Sequence, residues 1–473
     1  MDYGVVITSG AMPWQIFQQR PDGTAAICLE GCYSLNRISE DVPIQFYQHE
    51  AAGKEVYARV VREDSGEDVV PWQPCALSPP DRWSVTFPAV PAGGLYRLET
   101  RMTYHDWDGL SVTRGDMVHH IGVGDVFVVA GQSNACGRAL TPICDPPELG
   151  VHLFRYNGRW DLASHPLDEA TGAIYFGNYS NHNPGHSPFL HFAKRLKQEL
   201  GWPIGLVMTP YGGSPLSWWN PNENGALTQN MLNMLEGAQA RPKAMLWYQG
   251  EAEGFVDGDG NYRRRFLEFL AAVREKLEQP DFPVFTVQLG RCCSRDTQTL
   301  NRAWGKVRQA QREAARHPGV YVVPANDLTV YDTAHLTPES NLRLAERLAN
   351  AALGGLYGQP VAWRPPEAAR AVRVLPKRIR LEFENVVNSL DAFDVPTSLL
   401  PIDVEDDAGF ISLKDHYMER AAIVVTLERE PGAGAVVHGA WRSIPGAVIP
   451  QDLARQPMLS FYGLPIEEGA HAE

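Results

Sequence analysis

The sequence predicts an α/β protein, a parallel sheet covered on both faces by helices and flanked by two β-rich regions. Two textures lead there. From about 123 to 357, near-continuous apolar runs alternate with segments whose apolar residues recur every three or four positions. Buried parallel strands and amphipathic helices produce those patterns. On either side the runs are short, alternating or aromatic, and are separated by Pro and Gly, as in β-sandwiches. A chain of 473 residues exceeds what one core normally serves. The expected division is therefore a β-sandwich-like region at 1–122, a three-layer α/β/α domain at 123–357 and a second β-rich region at 358–473.

In the first region "IQFYQ", "EVYARVV", "RWSVTF" and "GLYRLETRMTY" read as strands. In the second, "DVFVVA" (125–130), "IGLVMT" (204–209), "AMLWY" (244–248), "PVFTVQL" (283–289) and "VYVVP" (320–324) read as the buried parallel strands. Between them, "SPFLHFAKRLKQEL" offers Ser187 as N-cap with Pro188 in the first helical position, where its missing N–H costs nothing. "NYRRRFLEFLAAVREKLEQ" and "NRAWGKVRQAQREAARH" carry helical spacing, and "TPESNLRLAERLANAALGG" opens on Thr337-Pro338 and closes in glycines. Beyond 358, "AVRVLPKRIRLEFENV", "AAIVVTLE" and "AVVHGAW" return to strand texture, and "IEEGAHAE" reads as a frayed tail.

Bulk properties remove several function classes. Hydrophobic residues at 44% and charged residues at 21% describe a globular chain. A net charge of -14 with no basic run repels nucleic acid. No apolar run approaches the ~20 residues that a membrane helix needs, and the first residues lack the basic and apolar parts of a signal peptide. The expectation is a cytoplasmic protein without nucleic-acid or membrane partners. Seven scattered cysteines do not make a disulfide framework. The sequence leaves open the oligomeric state, a homo-oligomer included.

In open parallel sheets ligands bind beyond the carboxyl ends of the strands, so the residues just past each strand decide the chemistry. After the first come Gln132-Ser133-Asn134; after the second, Tyr211-Gly212-Gly213-Ser214 with Trp218 and Trp219. After the third comes Gln249-Gly250-Glu251, and after the last Asp327, then Asp332 and His335. This set suits acyl transfer. A serine hydroxyl needs an adjacent base, which His335 can supply, and Asp332 three residues earlier can hold its imidazole. Asp327 is the rival acid. The oxyanion of the tetrahedral intermediate needs fixed donors: the Ser133 N–H, the Gly213 N–H and the Gln249 side-chain amide. Gly at 212 and 213 lets backbone approach a substrate, and a helix beginning just after Ser133 adds a favourable dipole.

The four blocks "AGQSN", "YGGSPLSWW", "WYQGEAE" and "DTAHLT" resemble those of the SGNH/GDSL hydrolases, and more narrowly the carbohydrate acetylesterases typified by sialate O-acetylesterases. "VRQAQREA" (307–314) and "HGAWRSIPGAVI" with "SFYGLP" are similar to later segments of that group. The resemblance implies a flavodoxin-like fold, Ser133 as nucleophile, His335 as general base, Asp332 as its partner, and Ser133, Gly213 and Gln249 as oxyanion donors. It implies an acetylated carbohydrate as substrate and no cofactor. One departure is "HLTPESN" after the histidine, where sialate esterases commonly have His-Pro followed by lysine, so the identity of the sugar stays open. Rival readings are a carbohydrate-binding protein with a degenerate hydrolase domain and an esterase or thioesterase for other acyl groups.

Further candidates are substrate contacts at Gln132, Asn134, Trp218, Trp219, His186 and Glu251, with bracing of the Gln249 loop the favoured role for Glu251. His182, His186 and His191 tempt a metal reading, but no carboxylate accompanies them in the segment, so no metal is expected. Cys292 and Cys293 have no assigned role.

Overall fold

The computed structural model describes residues 4–35, 52–106, 109–176, 184–256, 261–294 and 297–469. "IQFYQ" (44–48) and His182 lie outside them. The chain is of mixed α/β structure with several sheets. Its central strands are β1 (Gly109–Gly131), β2 (Val151–Phe154), β3 (Trp160–Leu162), β4 (Ile204–Met208), β5 (Ala244–Tyr248), β6 (Val284–Gln288) and β7 (Val320–Pro324). They lie in the order β3-β2-β4-β1-β5-β6-β7, with only the β2–β3 pair antiparallel. Every residue of β2, β4, β5 and β6 is buried, which is why these strands read as unbroken apolar runs.

The connecting helices are α1 (Ser133–Cys136), α2 (Phe189–Leu200), α3 (Leu216–Trp219), α4 (Ala226–Gly237), α5 (Glu251–Val256), α6 (Tyr262–Lys276), α7 (Gln298–Ala314) and α8 (Pro338–Gly355). Helix α8 starts as the sequence suggests: the Thr337 side chain accepts from the Ser340 N–H, and Pro338 is the first helical residue. Ser187 makes no such cap on α2. Helices α2 and α8 pack on one another, as do α6 and α7. Strand β1 is the pivot, because β2 to β4 fall on one side of it and β5 to β7 on the other. The loops beyond β4 and β5 therefore flank the end of β1, where sheets of this kind hold ligands.

Strand β1 also joins two regions. Its first part pairs antiparallel with Gly93–Asp106, while Asp125 to Gly131 lie in parallel register between β4 and β5. The position expected to separate two domains, 122/123, falls inside this continuous strand. The buried Asp125 fixes the crossing by accepting from Gln18, Gln19, Trp202 and Tyr357 at 2.7 to 3.0 Å. One hydrophobic cluster, including Ile27, Leu29, Phe87 and Leu98, fills the N-terminal region; another, including Ile379, Val404, Val425 and Phe461, fills the C-terminal eight-stranded sheet. The supposed frayed tail is partly ordered, since Ile466 to Glu468 pair with Ala371 to Arg373. No helix of the described residues is long and apolar enough to cross a membrane.

The C-terminal region is tied to the ends of β6 and β7. Arg308 on α7 is fully buried and donates to the carbonyls of Leu289, Gly290, Ala440, Trp441 and Arg442. Burial pulls its pKa down, and five carbonyl dipoles replace the lost water. The Asn326 amide donates to Met458 O and Ser460 Oγ, and Gln288 exchanges two bonds with the Ser460 backbone. Arg308→Met would strand those carbonyls. Its expected cost is about 3 kcal/mol of stability, read as a lower urea midpoint, with Arg308→Lys recovering little because one ammonium cannot span both segments.

Candidate active site

Gly131 ends β1 at φ +129°, and a Cβ there would sit 2.1 Å from Tyr248 O. The next N–H, from Gln132, donates to that same carbonyl at 2.9 Å, while the Tyr211 N–H donates to Gly131 O at 2.9 Å. The end of β1 is thus pinned to β5 on one side and to the loop after β4 on the other. Ser133 follows as the first residue of α1, a helix of only one turn. It supplies free N–H groups more than the dipole of a long helix.

Ser133, His335 and Asp332 come together. Ser133 Oγ lies 2.9 Å from His335 Nε2, and His335 Nδ1 lies 2.7 Å from Asp332 Oδ2. Asp332 Oδ1 also accepts the backbone N–H groups of Ala334 and His335 at 2.9 and 2.8 Å. Burial acts to raise the Asp332 carboxyl, but the imidazole and these two N–H groups outweigh it and hold it below the usual carboxylate range. Asp327, the rival acid, is held at 2.7 Å on both oxygens by Arg347. The Tyr331 ring lies 6.3 Å from the His335 ring at an interplanar angle of 26°.

The expected oxyanion donors divide. The N–H groups of Ser133 and Gly213 have no acceptor among the described residues. Gly213 holds φ +69°, with open space where a Cβ would be. Gln249 is different: its Nε2 donates to Ser214 O at 3.2 Å and to a Glu253 carboxylate oxygen, so both hydrogens are engaged, while Oε1 is buried without a partner.

Several residues expected to touch substrate have other partners. Gln132 is buried and its Oε1 accepts from the N–H groups of Gly250 and Ala252. Asn134 is buried; its Nδ2 donates to Glu251 at 2.7 Å and to Ala334 O at 3.1 Å, and its Oδ1 accepts the Leu336 N–H at 3.1 Å. Glu251, whose carboxyl burial pushes up, thus ties Asn134 to the turn that carries Gln249. Trp219 is fully buried against Trp247, with its N–H on Ser214 Oγ at 3.0 Å. Trp218 is 40% exposed and sits 5.9 Å from Tyr211, which stacks on half-exposed Phe176 at 5.0 Å.

His186 is buried 3.1 Å from Asp145, alongside His165 at 3.0 Å from the same oxygen. These residues bring three potential metal-ligating atoms within 4.8 Å of one another, the carboxylate being one that lies far from the histidines in sequence. Lys194 supplies a positive charge at 2.5 Å from the other Asp145 oxygen. Burial opposes ionisation of Asp145, but the two imidazoles and the ammonium hold its carboxyl well below the usual range. His191 meets Glu346 at 2.7 Å through Nε2, with its Nδ1 3.9 Å from Asp145. The vicinal cysteines act through backbone: the Cys292 N–H donates to Ser443 O and the Cys293 N–H to Thr333 O, inside the 332–335 loop.

Sequence reasoning missed Glu253. It is buried, two residues beyond Glu251, and accepts from the Leu216 N–H as well as from Gln249. The signal was present as the second carboxylate of "QGEAE", a residue type that is rarely buried without partners.

Residues 123–354 match the family model described as carbohydrate esterase, sialic acid-specific acetylesterase. That match covers just under half of the 473 residues. A probable carbohydrate esterase from Arabidopsis thaliana is 27% identical over 276 residues, covering 52% of this chain and 98% of that protein. Human sialate O-acetylesterase is 23% identical over 209 residues, covering 36% of this chain and 38% of the human protein. A carbohydrate acetylesterase from Xanthomonas citri shares the fold, with a TM-score of 0.65 at 18% identity over 97% of this chain and 99% of its own. These similarities to carbohydrate acetylesterases mark the chain as a carboxylic-ester hydrolase.

Asn134 spans both sides of the Ser133–His335 contact. Asn134→Ala is expected to lower esterase kcat by roughly tenfold or more, with about 1–3 kcal/mol lost from stability, as measured by steady-state kinetics beside thermal unfolding.

Proposed function

We propose that the chain removes O-acetyl groups from carbohydrate hydroxyls through an acetyl-Ser133 intermediate. The observation that carries this is the hydrogen-bonded line Ser133–His335–Asp332, assembled from the end of β1 and a loop 202 residues later. Ser133 Oγ attacks the acetyl carbonyl carbon as His335 Nε2 takes its proton. The N–H groups of Ser133 and Gly213 receive the oxyanion. Collapse expels the sugar oxygen, which takes the proton from His335, and leaves acetyl-Ser133. Water, deprotonated by His335, then releases acetate and restores the hydroxyl. Asp332 keeps the Nδ1 proton in place and stabilises the imidazolium. Exposed Trp218 offers an apolar face to a pyranose ring. No step calls for a cofactor.

In this reading residues 123–357 form a flavodoxin-like three-layer hydrolase domain, with β-rich domains at 1–122 and 358–473. The separate hydrophobic clusters of the two outer regions support it.

Ser133→Ala is expected to lower kcat on p-nitrophenyl acetate by at least about 10³-fold, with unfolding unchanged. Full activity in that variant sinks the proposal. Asp332→Asn is expected to cost about 10²–10⁴-fold, because the imidazole loses its anchor. Acetate release across a panel of acetylated sugars, set against esters of longer acyl chains, tests the substrate class: a preference for long chains argues against an acetylesterase.

A further inference from the structure

Strand β1, which delivers Ser133, lies between β4 and β5. The loop after β4 carries Gly213, and β5 runs directly into Gln249. The two loops thus stand on opposite sides of the nucleophile, and any donor pair drawn from them needs a fixed separation. The link between them is Glu253. One of its carboxylate oxygens accepts the Leu216 N–H, three residues beyond Gly213, and the other accepts the Gln249 amide. The Gln249 amide also reaches Ser214 O directly, at 3.2 Å. Glu253 is 3% exposed, and burying a carboxylate is costly unless it is hydrogen-bonded. Its place in the fold is explained by this bridge, since Ser133, His335 and Asp332 do not bond to it.

We propose that Glu253 is a positioning residue for oxyanion stabilisation, setting the plane of the Gln249 amide and its distance from Gly213. The proposal rests on the acetyl-Ser133 reading above. The Gln249 amide has two hydrogens. The one on Glu253 stays there, held by an acceptor that never donates while ionised. The one on Ser214 O makes the longer bond and transfers to the oxyanion when substrate fills the cleft. Without an acceptor at 253 the amide rotates, and its Oε1, now buried without a partner, exchanges place with Nε2.

The test is a double-mutant cycle on the full chain with p-nitrophenyl acetate, comparing Glu253→Gln, Gln249→Ala and the double variant, with Ser133→Ala as reference. Glu253→Gln keeps the shape and the Leu216 contact but turns a donor toward Gln249. The expected result is a fall in kcat of about tenfold to a hundredfold, the lower part of the range for losing an oxyanion donor, with KM within about twofold. The double variant should be no slower than Gln249→Ala alone, because Glu253 acts through Gln249. Wild-type kcat in Glu253→Gln overturns the proposal, as do losses that multiply in the double variant. Should Glu253→Gln fail to fold, Glu253→Asp, which shortens the bridge, goes through the same cycle with the same criteria. An active Ser133→Ala removes the underlying reading and this proposal with it; an inactive one beside a fully active Glu253→Gln removes this proposal only.

Discussion

One primary amide holds the two halves of the site together. Asn134 is adjacent to Ser133 and bonds to the backbone on both sides of His335. A proton can pass between hydroxyl and imidazole only across a hydrogen bond, and here the partners come from opposite ends of the middle region. The carboxylate of Glu251 orients the amide from behind. Buried polar networks are most useful when fully satisfied, and on Asn134 both the Nδ2 and the Oδ1 are engaged. The same residue would look dispensable from a list of reacting groups.

Around that contact the structure repeats one device. Strand ends are held by groups of a neighbouring helix and loops rather than by further sheet. Gln311 accepts the N–H of Leu289 and donates to the carbonyl of Gln249, so helix α7 steadies the loops after β5 and β6 together. Arg308, one turn earlier on the same helix, gathers carbonyls from the loop after β6 and from the C-terminal region. Cys293 then joins the loop after β6 to the one bearing His335. The C-terminal region is therefore part of what holds the histidine loop, although Ser133, Asp332 and His335 all lie outside it.

The alternation of apolar runs and helices was legible in the sequence because short strands buried on both faces leave few polar positions. Ser133, Asp332 and His335 stand out in the sequence because each lies past a strand end in a polar block; in the structure the three meet, while Asp327 is held by Arg347. What sequence alone leaves unsorted are the amides and carboxylates. Gln132, Asn134, Glu251 and Glu253 are all polar groups close to Ser133 or to the loop after β5, and nothing in their order shows which face the cleft and which are buried beneath it. Burial and partners separate them, and both depend on tertiary packing. The two tryptophans illustrate the same limit, since adjacent residues on one helical turn point apart, Trp219 into the core and Trp218 to the surface.

The long strand β1 sets a limit on how this molecule can be taken apart. Its antiparallel stretch and its parallel stretch share one unbroken backbone, with Asp125 gripping residues from before and after it in the chain. An excised catalytic fragment starting near 123 loses Gln18 and Gln19 as donors to that carboxylate and leaves Gly205 and its neighbours without the cover of Ile16. Fusion or shuffling of this hydrolase as an independent cassette has no clean seam on its leading side; the chain ahead of Ser133 must travel with it.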